Sequence, residues 1–342
     1  MAAGQGSICI LPRLSGLGGP VSFQGRLIQG LQARGYTVHH DPTDLTTTTL
    51  LVIGGTQQIV DVWHARRRGV RIVQRLNGMN WIHRKRKTGL RHALRAERNN
   101  WVLATIRRRL ADHVVYQSQF ARTWWQTVYG GVPGSANVIY NGVDLDSYTP
   151  QGPHRRPQDV YRLLLVEGHL RGGYEQGLET AVQLGKLLQR EGEKPCELVV
   201  VGDVPRHLQE YWQRQATYPL TWAGVTPRDA IPEIDRSAHV LFSADLNAAC
   251  PNSVVEALAC GLPVVAYATG SLPELVGDEG GLVVPYGSNY WNLEAPDIPA
   301  LAAAAQRILQ EPDAFRQGAR RRAEAAFGLE AMIDAYLEAL AP

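Results

Sequence analysis

The chain has 342 residues, of which 44% are hydrophobic and 20% are charged, and its formal net charge is +3. This length allows two domains of ordinary size, and the composition is that of a folded globular protein, which excludes extended disorder. The uncharged run over residues 257–273 is interrupted by glycine and proline, and the N-terminus lacks the basic region and apolar run of a signal peptide. We therefore expect neither a membrane span nor export.

The charges are distributed unevenly along the chain. Residues 1–150 hold 19 Lys and Arg against 7 Asp and Glu, whereas residues 151–342 hold 16 against 25. The basic first half predicts an anionic partner. The four cysteines are widely separated and have neither CxxC nor Cys/His metal spacing, so we expect buried thiols in a reducing compartment.

Short apolar runs alternate with helical patterns in both halves, which predicts βαβ units around parallel sheets. In the first half, strands are predicted over residues 7–12, 49–55, 70–75, 113–118 and 137–140. In the second half, they are predicted over residues 162–167, 197–202, 220–224, 239–244, 263–268 and 281–285. The polar, Pro-rich segment 149–159 is interpreted as a linker, and residues from about 313 to 340 are predicted to be helical.

A glycine-rich turn follows the first predicted strand of each half. Residues 14–31 open a helix, where backbone N–H groups can approach an anion, but Val21 stands where the dinucleotide fingerprint requires glycine. A plain strand-to-helix turn and an oxidoreductase with Asp41 on the ribose both stay open here. In residues 166–182, glycines, Arg171 and a helix N-terminus suit a diphosphate, with a flexible turn as the alternative.

Two longer segments resemble the family 4 glycosyltransferases. Residues 114–150 are similar to the family's segment from an apolar strand ending in Ser to NGVD, and residues 250–285 to its nucleotide-sugar motif. The likeness spans nearly the whole chain. It implies an α/β, GT-B fold of two Rossmann-like doubly wound domains facing a cleft, with acceptor bound by the first and donor by the second. The implied domains are residues 1–152 and 153–313, with a C-terminal helix 314–342 packing back on the first.

The resemblance gives Glu256 a role. Glu256 matches the second glutamate of the family's Glu-x7-Glu motif, which accepts hydrogen bonds from the ribose hydroxyls of the donor. Ser253 and Glu256 also fit a capping box, which requires no ligand. The first glutamate of the motif is replaced by Ala248, and Asp245 and Asn247 lie close enough in sequence to substitute for it.

The family's diphosphate-binding Arg and Lys are replaced as well. The aligned residues are His169 and Gln176. Arg171 and the amides of Gly172 and Gly173 would then hold the diphosphate, helped by His169 when it is protonated. We interpret this as a rearranged site.

The family's acceptor-domain histidine has no clear counterpart. Asn77, at the end of a predicted strand, is the preferred candidate over Arg75 and His83. The predicted catalytic residues are Arg171, His169, Glu256 and Asn77. The predicted donor-binding residues are Gly18, Gly19, Gly168, Gly172, Gly173, Gly202, Val225, Asp245, Asn247, Asn252, Ser253 and Glu256.

The resemblance implies retaining transfer of a sugar from a nucleotide-sugar donor to a hydroxyl of a carbohydrate or lipid-linked acceptor. No protein nucleophile, metal or cofactor is expected, since the nucleotide sugar is a co-substrate. Asp144 and Asp146 spell the DxD metal motif of the other glycosyltransferase fold, but they lie beside the predicted linker and are not expected to bind metal. Because Ala248, His169 and Gln176 depart from the family pattern, two alternatives stay open. One is a non-catalytic nucleotide-sugar-binding protein, and the other is a GT-B sugar-nucleotide epimerase. A dehydrogenase would instead bind nicotinamide.

The basic runs 65–71 and 81–113 account for the positive first half. Apolar residues at helical spacing predict helices with a buried stripe and cationic outer faces: Leu90, Leu94, Trp101, Ile106 and Leu110. The leading interpretation is a solvated surface, and the alternative is peripheral contact of residues 65–113 with an anionic membrane. No nucleic-acid-binding motif accompanies the charge, and the expected location is the cytoplasm.

Overall fold

The computed structural model describes residues 6–16, 18–86, 89–170 and 175–341, without the side chain of His169. The chain divides into two compact units, Met1–Gly142 with Leu329–Pro342, and Val143–Gly328. Each unit is built on a parallel sheet that has six strands among the described residues.

The first unit has the strand order β2-β1-β3-β4-β5-β6. Its strands are β1 (Ser7–Leu11), β2 (Thr37–His39), β3 (Thr47–Ile53), β4 (Arg71–Leu76), β5 (His113–Tyr116) and β6 (Ser135–Val138). Its first four helices are α1 (Gly19–Ala33), α2 (Ile59–Arg67), α3 (Leu90–Thr105) and α4 (Gln119–Tyr129). All five predicted strands are present, whereas the three-residue edge strand β2 was not predicted.

Helices cover both faces of the first sheet, as the apolar strands predicted. Alternate residues of β1 face opposite layers, because successive side chains of a strand point to opposite sides. Ile8 and Ile10 share a core cluster with residues of α1. Cys9 and Leu11 share another with residues of α2.

The second unit has the strand order β12-β11-β10-β7-β8-β9. Its strands are β7 (Tyr161–His169), β8 (Cys196–Asp203), β9 (Leu220–Gly224), β10 (Val240–Ser243), β11 (Val264–Tyr267) and β12 (Gly281–Val284). Its helices are α5 (Glu175–Glu191), α6 (Arg206–Gln215), α7 (Ile231–Ser237), α8 (Asn252–Ala259), α9 (Leu272–Val276), α10 (Ile298–Gln310) and α11 (Pro312–Ala326). Shorter helical turns occur at Ile82–Arg84, Ile106–Leu110, Arg228–Ala230 and Tyr290–Asn292. All six strands predicted for this half are present.

The C-terminal region is two helices, and only the second lies in the first unit. Helix α11 belongs to the second unit, where the Arg320 guanidinium donates hydrogen bonds to the carbonyl oxygens of Tyr148 and Ala259, each at 2.8 Å. The last helix, α12 (Leu329–Leu340), contributes Met332 and Tyr336 to the core of the first unit. Assigning residues 314–328 to the first domain therefore differs from the structure, because Arg320 ties α11 to the second unit.

The segment 149–159 lies inside the second unit and is not a linker between units. The Arg236 guanidinium of α7 donates hydrogen bonds to the carbonyl oxygens of Thr149, at 3.1 Å, and Pro153, at 3.2 Å. These contacts explain why the unit boundary falls at Gly142, ten residues before the predicted one.

All four cysteines are buried and free, as predicted. Burial raises the pKa of Cys9 and of Cys196 to about 12, so both stay protonated thiols at neutral pH. No helix in the described part of the chain is both long and apolar enough to span a bilayer.

Candidate functional site

The site predicted in the second unit lies along the carboxyl edge of its sheet. The strand order reverses between β7 and β10, which are hydrogen-bonded neighbours with Leu163 opposite Val240. Open parallel sheets bind ligands outside the carboxyl ends of their strands, at such a reversal. Gly168, Gly202, Val225 and the loop after β10 all lie at this edge.

The ends of β7 and β8 are held very close together. Gly202 has φ +136°, and a Cβ atom there would lie only 1.9 Å from the carbonyl oxygen of Glu167. Glycine is therefore required at 202 for close packing of two strands. By contrast, a Cβ at Gly168 would meet no atom of the described residues within 4 Å.

Two carboxyl groups lie at the carboxyl ends of the neighbouring strands β7 and β10: Glu167 is near the end of β7, and Asp245 follows β10. Loss of hydration raises the pKa of Asp245 to about 6. Burial, together with the charge of Asp245, raises the pKa of Glu167 well above its ordinary value. Each of these carboxyl groups therefore keeps its proton to a higher pH than a solvated carboxyl group does, and a protonated carboxyl group can donate as well as accept a hydrogen bond. Asp245 was predicted as a site residue; Glu167 was missed, because sequence gives no sign that the ends of β7 and β10 are adjacent.

Asn247 is held in an unusual conformation. Its φ is +59°, in the left-handed region, and only 4% of its surface is exposed. Neither its Oδ1 nor its Nδ2 has a hydrogen-bond partner among the described residues. Buried amide groups are nearly always paired, and backbone strain of this kind is concentrated at functional sites. Asn247 is therefore the strongest candidate for a ligand-binding side chain in this loop.

The loop after β11 packs tightly against the loop that carries Asn247. A Cβ at Gly270 would lie 2.7 Å from the backbone nitrogen of Ala248, and the N–H of Ser271 donates a 2.9 Å hydrogen bond to the Ala248 carbonyl. The hydroxyls of Thr269 and Ser271 are also buried and lack a partner among the described residues. These two side chains carried no signal in the sequence, since hydroxyl residues are common in turns.

Glu256 lies in α8 and is 8% exposed. The helix begins at Asn252 and its N-cap residue is Pro251, without a side-chain capping hydrogen bond. Ser253 therefore lies inside the first turn, and the spacing required for a capping box is not met. The capping interpretation of Ser253 and Glu256 is wrong, because the N-cap residue is Pro251, two residues before the position which that interpretation needs.

The glycine-rich turn of the second unit is only partly described. Arg171, Gly172 and Gly173 lie outside the described residues, and of His169 only the backbone, at the end of β7, is described. Gln176 lies in the first turn of α5, where its Nε2 donates hydrogen bonds to the Tyr286 hydroxyl, at 3.1 Å, and to a backbone carbonyl.

The glycine-rich turn of the first unit opens α1, as predicted. Gly18 is the N-cap residue with φ +118°, and a Cβ there would meet none of the described atoms within 4 Å. Gln24 of α1 fixes the turn, since its side chain accepts a hydrogen bond from the N–H of Leu14 and donates one to the Pro12 carbonyl. Gly18 and Gly19 thus lie at a helix N-terminus on an otherwise anchored turn.

A polar network surrounds Asn77 at the carboxyl end of β4. Its Oδ1 accepts hydrogen bonds from Arg75 Nη1, at 3.0 Å, and Gln117 Nε2, at 2.5 Å. The Arg75 guanidinium is 1% exposed, lies 3.7 Å from the centre of the Phe23 ring, and donates to Asn141 Oδ1 at 2.7 Å. Arg75 and Asn77, weighed as alternatives in the sequence, are therefore parts of one cluster.

His83 is separate from that cluster. Its Nε2 lies 2.9 Å from a carboxylate oxygen of Glu97, and Arg84 donates two further hydrogen bonds to the same carboxylate. These bonds lower the pKa of Glu97 to about 2. The His83 side chain is only 3% exposed, so it is a buried, hydrogen-bonded residue rather than a surface residue of a basic run.

The predicted buried stripe of the basic helices is largely wrong. Ile106 and Leu110 are buried, but Leu90, Leu94 and Trp101 are 77%, 64% and 64% exposed. The buried face of α3 consists instead of the small and polar residues Ala96, Asn100 and Ala104.

Two family models match this chain. Residues 162–311 match the model described as glycosyl transferases group 1, and residues 56–147 match the model described as glycosyltransferase family 4. Together they span more than two thirds of the sequence.

The chain belongs to the family 4 glycosyltransferases.

Similar proteins agree with this membership. The 2-deoxystreptamine glucosyltransferase of Streptomyces kanamyceticus is 28% identical over 201 residues, covering 54% of this family 4 chain and 49% of that protein. The chain thus spans about half the length of that curated relative. Sucrose-phosphate synthase from Thermosynechococcus elongatus has a TM-score of 0.74 at 18% identity, with 98% of each chain covered. HepE from Anabaena, in complex with UDP and glucose, has a TM-score of 0.70 at 17% identity, covering 98% of this chain and 99% of that one. The fold of this family 4 chain is GT-B, as the sequence predicted.

One prediction concerns the strained residue of the site. Asn247→Gly is expected to raise the free energy of unfolding by about 1 kcal/mol, because glycine tolerates the left-handed backbone and the unpaired amide is removed. Urea denaturation measures the free energy of unfolding. The affinity of the same variant for the nucleotide-sugar donor is expected to fall. Leu293→Gly is the matched control, since Leu293 has φ +57° outside this loop; it should gain stability without losing affinity. A less stable Asn247→Gly variant would contradict the assignment.

Proposed function

We propose that this protein is a glycosyltransferase that transfers a sugar from a nucleotide-sugar donor to a hydroxyl of a carbohydrate or lipid-linked acceptor. Membership of the family supports the activity. The observation that carries it lies at the carboxyl edge of the second sheet. The strained residue Asn247, whose side-chain amide has no partner among the described residues, lies in the loop after β10, and Glu256 lies in the helix α8 that follows this loop. The structurally similar protein HepE was solved with UDP and glucose, which supports a nucleoside diphosphate and a hexose as the ligand classes of this protein.

In this proposal Glu256 accepts hydrogen bonds from the donor ribose. Gly168 and Gly202 let the diphosphate approach the ends of β7 and β8, and Arg171, His169, Gly172 and Gly173 hold it. Asp245 and Asn247 take the place of the missing glutamate at 248 and contact the transferred sugar. The remaining proposed donor contacts are Gly18, Gly19, Val225, Asn252 and Ser253.

We further propose that the transfer retains the anomeric configuration and requires no metal. The protein then aligns donor and acceptor and stabilises negative charge on the leaving diphosphate, and Asn77 helps to position the acceptor. The DxD sequence is assigned no metal, because Asp144 accepts hydrogen bonds from the Asp146 N–H, at 3.0 Å, and the Ser147 hydroxyl, at 2.6 Å. This pattern is a local turn motif. NMR of the product's anomeric proton, with and without EDTA during the reaction, tests both points.

The first test is a thermal-shift panel of UDP, GDP, ADP and NAD⁺ against the full chain. A nucleoside diphosphate at a hundred times its dissociation constant should stabilise the protein by roughly 2.7 kcal/mol, which is an easily measured rise in melting temperature. The same panel with Glu256→Gln should show a smaller shift. Stabilisation by NAD⁺ alone, or by none of the four, would contradict the proposal.

Turnover distinguishes the transferase from its alternatives. A non-catalytic binding protein would show the nucleotide shift without releasing nucleoside diphosphate in the presence of any acceptor. An epimerase would convert the nucleotide sugar in the absence of an acceptor. Release of nucleoside diphosphate that depends on an added acceptor is expected of the transferase.

A further inference from the structure

An exposed apolar surface lies on the first unit, outside the candidate site. It consists of large apolar side chains on α2 and α3, which are 42–77% exposed: Val60, Trp63, Leu90, Leu94 and Trp101. We call these five residues the Trp63–Trp101 surface. Single exposed apolar residues are ordinary, but groups of them on a folded protein mark interaction sites.

The α3 part of this surface is a stripe. Leu94 and Trp101 are four and eleven residues beyond Leu90, so all three project within about 40° of one another around the helix. The core contacts of α3 include Ala96 and Asn100, which project about 120° and 80° away from Leu90, on the side opposite to Leu94 and Trp101. The stripe therefore is not needed to attach the helix to the sheet.

The α2 part adjoins the end of α3. A groove of about 600 Å³ is lined by Val60 and Trp63 of α2, by Thr105 at the end of α3 and by Arg109 of the helical turn that follows it. Thr105 lies one turn beyond Trp101 on the stripe side of α3. The stripe and the groove thus form one continuous surface.

Positive charge surrounds this surface. Residues 59–110 contain 15 Lys and Arg and only 2 acidic residues. Arg91, Arg95 and Arg98 are exposed on α3 beside the stripe. On α2, the Arg67 guanidinium lies 5.0 Å from the centre of the Trp63 ring, so a cation is held against the exposed indole.

We propose that the Trp63–Trp101 surface docks onto a bilayer that contains anionic lipids. The apolar side chains would enter the interface between headgroups and acyl chains while the arginines contact lipid phosphates. Tryptophan is favoured at this depth because its ring is apolar and its N–H is polar. The charge complementarity selects an anionic bilayer over a neutral one.

Sedimentation of the full chain with vesicles tests this. We expect binding to phosphatidylcholine vesicles that contain phosphatidylglycerol, and much weaker binding to phosphatidylcholine alone. Leu94→Ser with Trp101→Ser should lower the partition coefficient about tenfold. Arg91→Gln with Arg95→Gln should lower it about tenfold at low salt, with the difference vanishing at high salt because the charges are screened.

Matched controls separate docking from unfolding. Leu45→Ser removes an 84% exposed leucine elsewhere on the same unit, and Arg206→Gln removes an exposed arginine of the second unit; neither should change vesicle binding. Circular dichroism should show unchanged melting for all variants. In vesicles with brominated acyl chains, Trp101→Phe should lose part of the tryptophan quenching while retaining binding.

Three results would overturn the proposal. They are equal binding to neutral and anionic vesicles, unchanged binding of the Leu94→Ser, Trp101→Ser variant, and binding of soluble polyglutamate without binding of anionic vesicles. The last would assign the surface to an acidic protein. None of these results bears on donor binding, so the docking proposal and the proposed activity can fail separately.

Discussion

Glu256→Gln is expected to lower kcat/KM for the nucleotide-sugar donor about a hundredfold, with the melting temperature unchanged or raised. A carboxylate that accepts hydrogen bonds from ribose hydroxyls contributes roughly 1.5–3 kcal/mol per bond, and the neutral amide accepts more weakly and presents a donor in place of one oxygen. Nucleotide affinity by calorimetry and initial rates at varied donor concentration measure the loss.

The stability part of this prediction has its own physical reason. Asp235 of α7 is 1% exposed, and its pKa is raised well above its ordinary value by burial and by the charge of Glu256. Removing the Glu256 charge relieves this repulsion, and no cap of α8 is lost because Pro251 is the N-cap residue. Glu279→Gln, on an exposed glutamate paired with Arg321, is the control and should affect neither measurement. A Glu256→Gln variant that loses stability but binds nucleotide normally would show that this carboxylate is structural.

Gly202→Ala is expected to destabilise the protein by about 3 kcal/mol or more and to abolish most of the activity. The new methyl group would lie 1.9 Å from the Glu167 carbonyl oxygen, and φ +136° is a conformation that residues other than glycine rarely adopt. The ends of β7 and β8 would have to separate, which displaces the proposed diphosphate site. Urea denaturation and donor titration of the same preparation measure both effects.

Gly168→Ala is the matched control on the neighbouring strand. A Cβ at 168 meets nothing within 4 Å in the part of the chain that the structure describes, so the free energy of unfolding should change by less than about 0.5 kcal/mol. If the diphosphate approaches the backbone there, donor affinity should still fall about tenfold, because a methyl group occupies space reserved for the ligand. Normal affinity in Gly168→Ala would remove this residue from the donor site.

The strand pattern was predictable because parallel strands covered on both faces are nearly continuous apolar runs. All eleven predicted strands are present, several of them within one or two residues of the predicted bounds. β2 was missed because an edge strand of three residues, TVH, buries little surface and needs no apolar run. The glycine-rich turns and Glu256 were also found in the sequence, since their chemistry depends on residue type and local spacing.

Three features depended on contacts between distant segments. Periodicity placed Leu90, Leu94 and Trp101 on one face of a helix. The same spacing occurs whether that face packs against the core or is exposed to solvent, so it does not distinguish the two. Glu167 and Asp245 are adjacent because β7 and β10 are neighbours in the sheet, although two other strands, β8 and β9, lie between them in the sequence. The division of the chain at Gly142 depends on side chains such as Arg236 that reach back to residues 149–153.

The sequence by itself therefore determined the class of fold and the glycine-rich turn that opens α1, because these depend on local periodicity and on residue types at fixed spacing. The role of Glu256 in donor binding stays a prediction. Only the tertiary structure decided which polar groups are buried without a partner, which helix face meets solvent, and where α8 begins. Burial and pairing are properties of neighbours brought together from different parts of the chain, and no local pattern encodes them.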